Sequence, residues 1–163
     1  MLIDAAAQVP ELGVKIAGDG PQEGALRARA AGLPNVEFLG RVEGERKFQL
    51  MREARAVAFP SVCYENFSLV LLEALSVGTP IIASRLGGLP TILNEGADSL
   101  FFAPGDANSL AERLRQALAN PELMLQLGKR GLEVTLQEYT EARHYQRLTD
   151  IQAEVMGNSA VPR

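Results

Sequence analysis

Short apolar runs alternate with longer amphipathic segments along the whole chain. The apolar runs are almost continuously hydrophobic, a pattern typical of strands whose two faces are both covered. They predict strands at 13–17, 35–40, 55–59, 80–84 and 99–102. Helical patterns lie at the N-terminus, between these strands and after the last one, at 2–9, 22–31, 43–54, 67–77, 89–94, 106–119, 120–139 and 140–156. This alternation predicts an α/β fold: a Rossmann-like, doubly wound parallel sheet followed by C-terminal helices.

Length and composition favour a single globular domain. The chain has 163 residues, of which 47% are hydrophobic and 22% charged, and a domain of that size buries a sufficient core without disulfides or metals. The net charge of −4 argues against a nucleic-acid partner, which needs a basic surface. With one cysteine, Cys63, and one histidine, His144, neither a disulfide nor a Cys/His metal site is expected.

The two termini bear on domain limits and location. We expect the domain to cover residues 1–157, with a disordered tail at 158–163. The longest apolar stretch, 68–83, is interrupted by Glu73, Gly78 and Pro80, so we expect no membrane span. Residues 1–9 lack the basic start of a signal peptide. A cytoplasmic location is therefore predicted.

Candidate chemistry lies in the turns after the strands, because ligands of open α/β sheets bind at the carboxyl ends. The strongest of these turns, 60–68, leads into an apolar helix that carries Glu73. A carboxylate buried in such a helix needs a partner, and no Lys or Arg lies within one turn of it. A ribose diol could supply two hydroxyl donors. Amides at the helix start, near Phe67, Ser68 and Leu69, would suit a diphosphate, and Glu65 could accept from sugar hydroxyls.

Two glycine turns are further candidate ligand sites, and each candidate also has a plainer structural interpretation. Gly18 and Gly20 flank Asp19 after the first strand, and Gly87 and Gly88 follow the fourth. Either pair would let a ligand approach the backbone, and either also suits an ordinary tight turn. Likewise, Glu65 could be a solvated loop residue and Glu73 could pair with a distant Arg.

Together these segments resemble the donor-binding half of GT-B retaining glycosyltransferases of family 4, the "group 1" type. The resemblance rests on 60–84 with its Glu65 and Glu73, and on 17–21, 35–40, 87–90 and 104–106 in the same order, and it covers about residues 2–150. It implies a Rossmann-like domain that binds a UDP- or GDP-type sugar without metal or cofactor. By the family's motif, Glu73 would hold the ribose and Glu65 the transferred sugar. The backbone at Phe67, Ser68 and Leu69 would contact the sugar and the phosphate. Gly18 and Gly20 would approach the nucleotide, and Arg41 and Val42 would lie against the base.

The chain also departs from the family pattern. Ser68, Thr91 and Ser99 replace the usual Gly, Glu and Gly. The first strand of this half, with an Arg and a Lys that neutralise the diphosphate, would precede Met1, as would the acceptor domain. We therefore predict either a gap or a rearranged pairing between the strands at 14–17 and 56–59, with those at 56, 81 and 100 adjacent in that order.

The resemblance implies a hexosyltransferase whose catalytic residues are not certain in this chain, which alone would be inactive. Its partners would be the sugar donor and the missing acceptor domain or a partner chain, through which it could lie at the inner face of a membrane. A non-catalytic nucleotide-sugar binding or assembly module is the alternative, and half of a sugar-nucleotide epimerase is a third. Sequence upstream of Met1 would discriminate between the first two.

Overall fold

The computed structural model describes residues 1–157 and shows the predicted elements in the predicted order. The predicted tail at 158–163 lies outside the described residues. The strands are β1 (Val14–Ala17), β2 (Val36–Gly40), β3 (Val57–Phe59), β4 (Ile81–Ser84) and β5 (Ser99–Phe102). The helices are α1 (Leu2–Ala7), α2 (Glu23–Arg29), α3 (Gly44–Glu53), α4 (Leu69–Ser76), α5 (Leu89–Ile92), α6 (Ala107–Ala119), α7 (Pro121–Glu138) and α8 (Glu141–Gly157).

The strands form two separate parallel sheets rather than one. β1 pairs with β2, and β3, β4 and β5 pair in that order. Among residues 1–157, no strand lies between β1 and β3, and a cleft of about 910 Å³ is lined by both of them. Of the two arrangements expected here, a gap or a rearranged pairing, the structure shows the gap, and the predicted order of the last three strands is confirmed.

Helices cover both faces of the three-stranded sheet, as a doubly wound fold requires. Consecutive residues of β4 show this, because Ile82 packs in one core cluster with residues of α1, α6 and α7, whereas Ile81 packs in the other with residues of α3, α4 and α5. Because side chains alternate between the two faces of a strand, a strand that is buried on both faces has an uninterrupted apolar sequence. The fold-class prediction is confirmed.

Burial decreases towards the gap. Every residue of β4 and β5 is buried, every residue of β3 is half-buried, and in β1 Lys15 and Ala17 are exposed. The expectation that the first strand would be buried on both faces is therefore wrong. β1 has a strand neighbour on one side alone among the described residues, so its side chains are less covered.

The C-terminal helices follow local sequence signals. Asp106 caps α6, accepting hydrogen bonds from the N–H groups of Asn108 and Ser109 at 2.8 and 3.2 Å. Leu110 and Leu114, four positions apart on one face of α6, are buried. In the described part of the chain, no helix combines the length and the apolar character needed to cross a membrane.

Candidate nucleotide-sugar site

The loop between β3 and α4, residues 60–68, is attached to the last residue of β4 and to the chain that follows β4. The fully buried Ser84 donates its hydroxyl to the carbonyl oxygen of Ser61 at 2.6 Å. The N–H of Gly88 donates to the carbonyl oxygen of Glu65 at 2.8 Å. These two hydrogen bonds hold the loop near its beginning and at the candidate sugar-binding residue Glu65.

The glycine pair at 87–88 packs against this loop and does not border an open binding site. A Cβ on Gly88 would lie 2.7 Å from the carbonyl oxygen of Asn66, closer than such atoms approach. A Cβ on Gly87 would lie 3.0 Å from the backbone of Glu65, and the φ of Gly87 is +59°. The close backbone approach predicted from these glycines is present, and its partner is the loop that carries Glu65.

Substituting Gly88→Ala should lower the free energy of unfolding by about 1–3 kcal/mol, the usual cost of forcing extra atoms into a packed site. Urea unfolding of the variant and the parent chain measures the difference. Gly24→Ala is the matched control, since Gly24 lies in α2 and a Cβ added there would have no neighbour within 4 Å. Equal urea midpoints for Gly88→Ala and the parent would show that the loop moves to accommodate the Cβ without lowering the free energy of unfolding.

The donor-sugar residues predicted from the sequence lie along this loop and at the start of α4. Glu65 is half-buried, and its carboxylate forms no ion pair within residues 1–157. Phe67 is 48% exposed, and its ring lies 6.1 Å from that of Tyr139. α4 begins at Leu69, two residues later than predicted, and the buried Ser68 precedes it without a side-chain cap.

Glu73 pairs with a lysine on another helix. Nζ of Lys47, on α3, lies 2.5 Å from Oε1 of Glu73, and the two side chains are 32% and 28% exposed. The expectation of a fully buried carboxylate is wrong. The absence of a cation within one turn of Glu73 holds, and the partner is a distant lysine where the plainer interpretation named a distant arginine. α4 is not covered on all sides, since Leu69 is 70% and Val70 42% exposed, and the ion pair is made across 26 positions of sequence.

A sequence signal for Lys47 did exist. Lys47 is four positions before Met51, the buried residue of α3, and positions four apart share one helix face. A lysine on the inward face of a half-buried helix is stabilised by an anionic partner, and Glu73 is the acidic residue of the neighbouring α4. What the pattern of α3 did not indicate is which element α3 packs against.

The candidate nucleotide residues meet at the carboxyl ends of β1 and β2. The N–H of Gly18 donates to the carbonyl oxygen of Gly40 at 2.7 Å, so the turn after β1 adjoins Arg41 and Val42. Gly18, Arg41, Val42 and Lys47 all line the cleft between the two sheets. Gly20 is exposed and is not part of that lining.

Charge at this edge is arranged in pairs. The guanidinium of Arg41 lies 2.6 Å from Oε1 of Glu43, and the Arg41 side chain is 70% exposed. Within residues 1–157, no three His, Cys, Asp or Glu side chains are grouped so that they could hold a metal ion.

Comparison with known proteins assigns the chain to a family. Residues 1–120 match the family described as glycosyl transferases, group 1. The chain belongs to this family. It is 34% identical over 131 residues to a sulfoquinovosyl transferase of Arabidopsis thaliana and 35% identical over 128 residues to a phosphatidyl-myo-inositol mannosyltransferase of Mycobacterium leprae. These alignments cover 78% and 76% of this chain but 25% and 34% of the relatives.

Solved structures place this group 1 chain within the GT-B fold. HepE of Anabaena, determined in complex with UDP-glucose, superposes with a TM-score of 0.83 at 25% identity, covering 94% of this chain and 44% of HepE. Sucrose-phosphate synthase of Thermosynechococcus elongatus gives 0.77 at 27% identity, with 97% and 43% covered. The chain thus spans under half of each of these glycosyltransferases.

Proposed function

We propose that this chain is the donor-binding half of a retaining glycosyltransferase that acts in the cytoplasm on a UDP- or GDP-type sugar. The observation that carries the proposal is the Glu73 carboxylate, half-buried beside the cleft and paired through Oε1 with Lys47. Its position on α4 is the one that the family motif gives to the ribose-binding carboxylate.

The ion pair with Lys47 is compatible with a ribose partner for Glu73. A carboxylate has about four acceptor positions on its two oxygens, and one lysine ammonium engages one of them. An ionised carboxylate accepts hydrogen bonds and donates none. A vicinal diol supplies two donors side by side, so Oε2 and the remaining acceptor position of Oε1 suit the two ribose hydroxyls.

The roles proposed for the other candidates are those that the family motif implies. Arg41 and Val42, at the end of β2, would lie against the base, and backbone at Gly18 and Gly20 would lie near the nucleotide. Amides at Phe67, Ser68 and Leu69 would meet phosphate and sugar at the start of α4, and Glu65 would accept from the sugar. The complex of HepE with UDP-glucose supports a nucleotide sugar as the ligand.

In the proposed reaction the bond from the anomeric carbon to the diphosphate oxygen breaks and a bond to an acceptor oxygen forms, with retention. The nucleoside diphosphate leaves, and the acceptor hydroxyl loses its proton. The acceptor would be held by a further domain or a partner chain, and no metal is required for the roles assigned here. The alternative is a nucleotide-sugar binding or assembly module without transfer, and sequence upstream of Met1 discriminates between the two.

Isothermal titration calorimetry of the chain with UDP, GDP and UDP-glucose tests the proposed ligand. We expect one of the two nucleotides to bind with a Kd of about 1 mM or tighter, a free energy of about −4 kcal/mol. Uridine and inorganic pyrophosphate are the controls for base alone and phosphate alone, and both should bind more weakly. Equal affinities for pyrophosphate and for both nucleotides would contradict nucleotide recognition.

A further inference from the structure

α7 lies along α4, and the two helices run antiparallel in one register. A Cβ added to Gly128 would overlap the carbonyl oxygen of Gly78, just beyond the end of α4. A Cβ added to Gly131, one turn further along α7, would lie 2.5 Å from Cδ2 of Leu75, inside α4. The absence of side chains at these two glycines therefore lets α7 approach α4 closely at one end.

The same register brings Tyr139 to the other end of α4. Tyr139 follows Gly131 by eight positions, and Phe67 precedes Leu75 by eight positions. The rings of Tyr139 and Phe67 have centroids 6.1 Å apart and planes inclined at 50°, a favourable geometry for an aromatic pair. Tyr139 also packs against the core cluster that joins α3, α4 and α5. It is therefore an anchored support for Phe67.

The segment around Phe67 has few other attachments. The hydrogen bonds to Ser84 and Gly88 hold the loop 60–68 only as far as Glu65. Beyond Glu65, the first two residues of α4, Leu69 and Val70, are exposed, and the helix begins without a side-chain cap. The contact between Phe67 and Tyr139 is thus a further attachment of the loop, placed where the loop enters α4.

We propose that Tyr139 is a positioning residue of the nucleotide-sugar site: its ring holds Phe67 and thereby fixes the amides at the start of α4. This inference rests on the proposed function, in which those amides meet the phosphate and the sugar. Hydrogen bonds weaken steeply as their geometry departs from linear, so a loosened helix start would bind the ligand less well. Tyr139 acts through Phe67 and needs no contact with the ligand.

Calorimetry measures this with whichever nucleotide sugar the parent chain binds, UDP-glucose or GDP-mannose. Tyr139→Leu keeps an apolar side chain and removes the ring, so the Kd should rise about three- to tenfold, the range expected for one aromatic pair. Tyr139→Phe keeps the ring and should restore the parent Kd. Tyr145→Leu is the matched control, since Tyr145 is exposed on α8, and it should change nothing.

A double-variant cycle shows whether Tyr139 acts through Phe67. Phe67→Leu removes the other ring and keeps the backbone, so it should raise the Kd as Tyr139→Leu does. The double variant should bind no more weakly than Phe67→Leu alone, because both substitutions remove the same contact. Additive losses would overturn the proposal, as would an unchanged Kd in Tyr139→Leu.

Hydrogen exchange without ligand provides a second readout from two amides that flank Phe67. The N–H of Leu71 donates to the carbonyl oxygen of Ser68 at 3.3 Å, and the N–H of Gly88 donates to that of Glu65 at 2.8 Å. Both hydrogen bonds break when the segment between them opens locally. Their exchange rates therefore report how firmly the end of the loop is held.

Both amides should exchange about three- to tenfold faster in Tyr139→Leu than in the parent, and at the parent rate in Tyr139→Phe and Tyr145→Leu. Unchanged exchange in Tyr139→Leu would overturn the proposal. A parent chain that binds neither nucleotide sugar would contradict the proposed function and, with it, the role of Tyr139 in binding. The exchange rates would then still show whether Tyr139 holds the loop, so the two failures are distinguishable.

Discussion

The purified 163-residue chain should transfer no sugar from UDP-glucose or GDP-mannose to an added hydroxyl acceptor. It covers 25% and 34% of two of its relatives in the family, and the part proposed to hold the acceptor lies outside residues 1–157. Holding two reactants in the right geometry contributes about 7–11 kcal/mol to lowering a barrier, which corresponds to about five to eight orders of magnitude in rate. Without that contribution, transfer should fall below detection.

Chromatography of the reaction with labelled donor measures transfer and hydrolysis in one sample. A trace of donor hydrolysis agrees with the proposal, because water needs no acceptor site. Glycosylated acceptor formed in proportion to the concentration of the chain would contradict it. Calorimetric binding of the same donor, measured in parallel, separates a chain that binds without transferring from one that does not bind at all.

Glu73→Gln should weaken binding of the free nucleotide by about 1.5–3 kcal/mol, the net value of a hydrogen bond to a charged group, or about 10- to 150-fold in Kd. Glu65→Gln should leave the free nucleotide unchanged and weaken only the nucleotide sugar, since Glu65 is assigned to the sugar. Calorimetry with UDP or GDP, and with the matching nucleotide sugar, measures both. Equal losses in the two variants would refute the assignment.

Two further variants isolate the ribose contact from the ion pair. Lys47→Met removes the partner of Glu73 and keeps the carboxylate, so a large loss of affinity in Glu73→Gln with a smaller one in Lys47→Met indicates direct contact with the ligand. Glu133→Gln removes a carboxylate from an exposed pair with Arg130 on α7 and should change neither affinity. Thermal unfolding of each variant verifies that it remains folded.

Local patterns in the sequence determined the elements of this protein. The apolar runs, the Asp106 cap and the Pro at the start of α7 each act within a few residues, so their effects could be predicted without knowing the tertiary structure. A gap or a rearranged pairing beside β1 was also predicted, because the strand order of a doubly wound sheet, together with the family resemblance, requires a strand between β1 and β3.

Only the tertiary structure decided how the candidate site is held. The pairing of Glu73 with Lys47 depends on α3 lying against α4, and the approach of Gly88 to the backbone at Glu65 and Asn66 depends on a loop more than twenty positions away. Neither contact produces a periodic pattern in the sequence, because each joins two segments whose local sequences are compatible with their own helix or loop whichever segment they contact. The exposure of Lys15 and Ala17 in β1 has the same origin, since burial depends on which strands are neighbours and hydrophobicity along the chain does not record that.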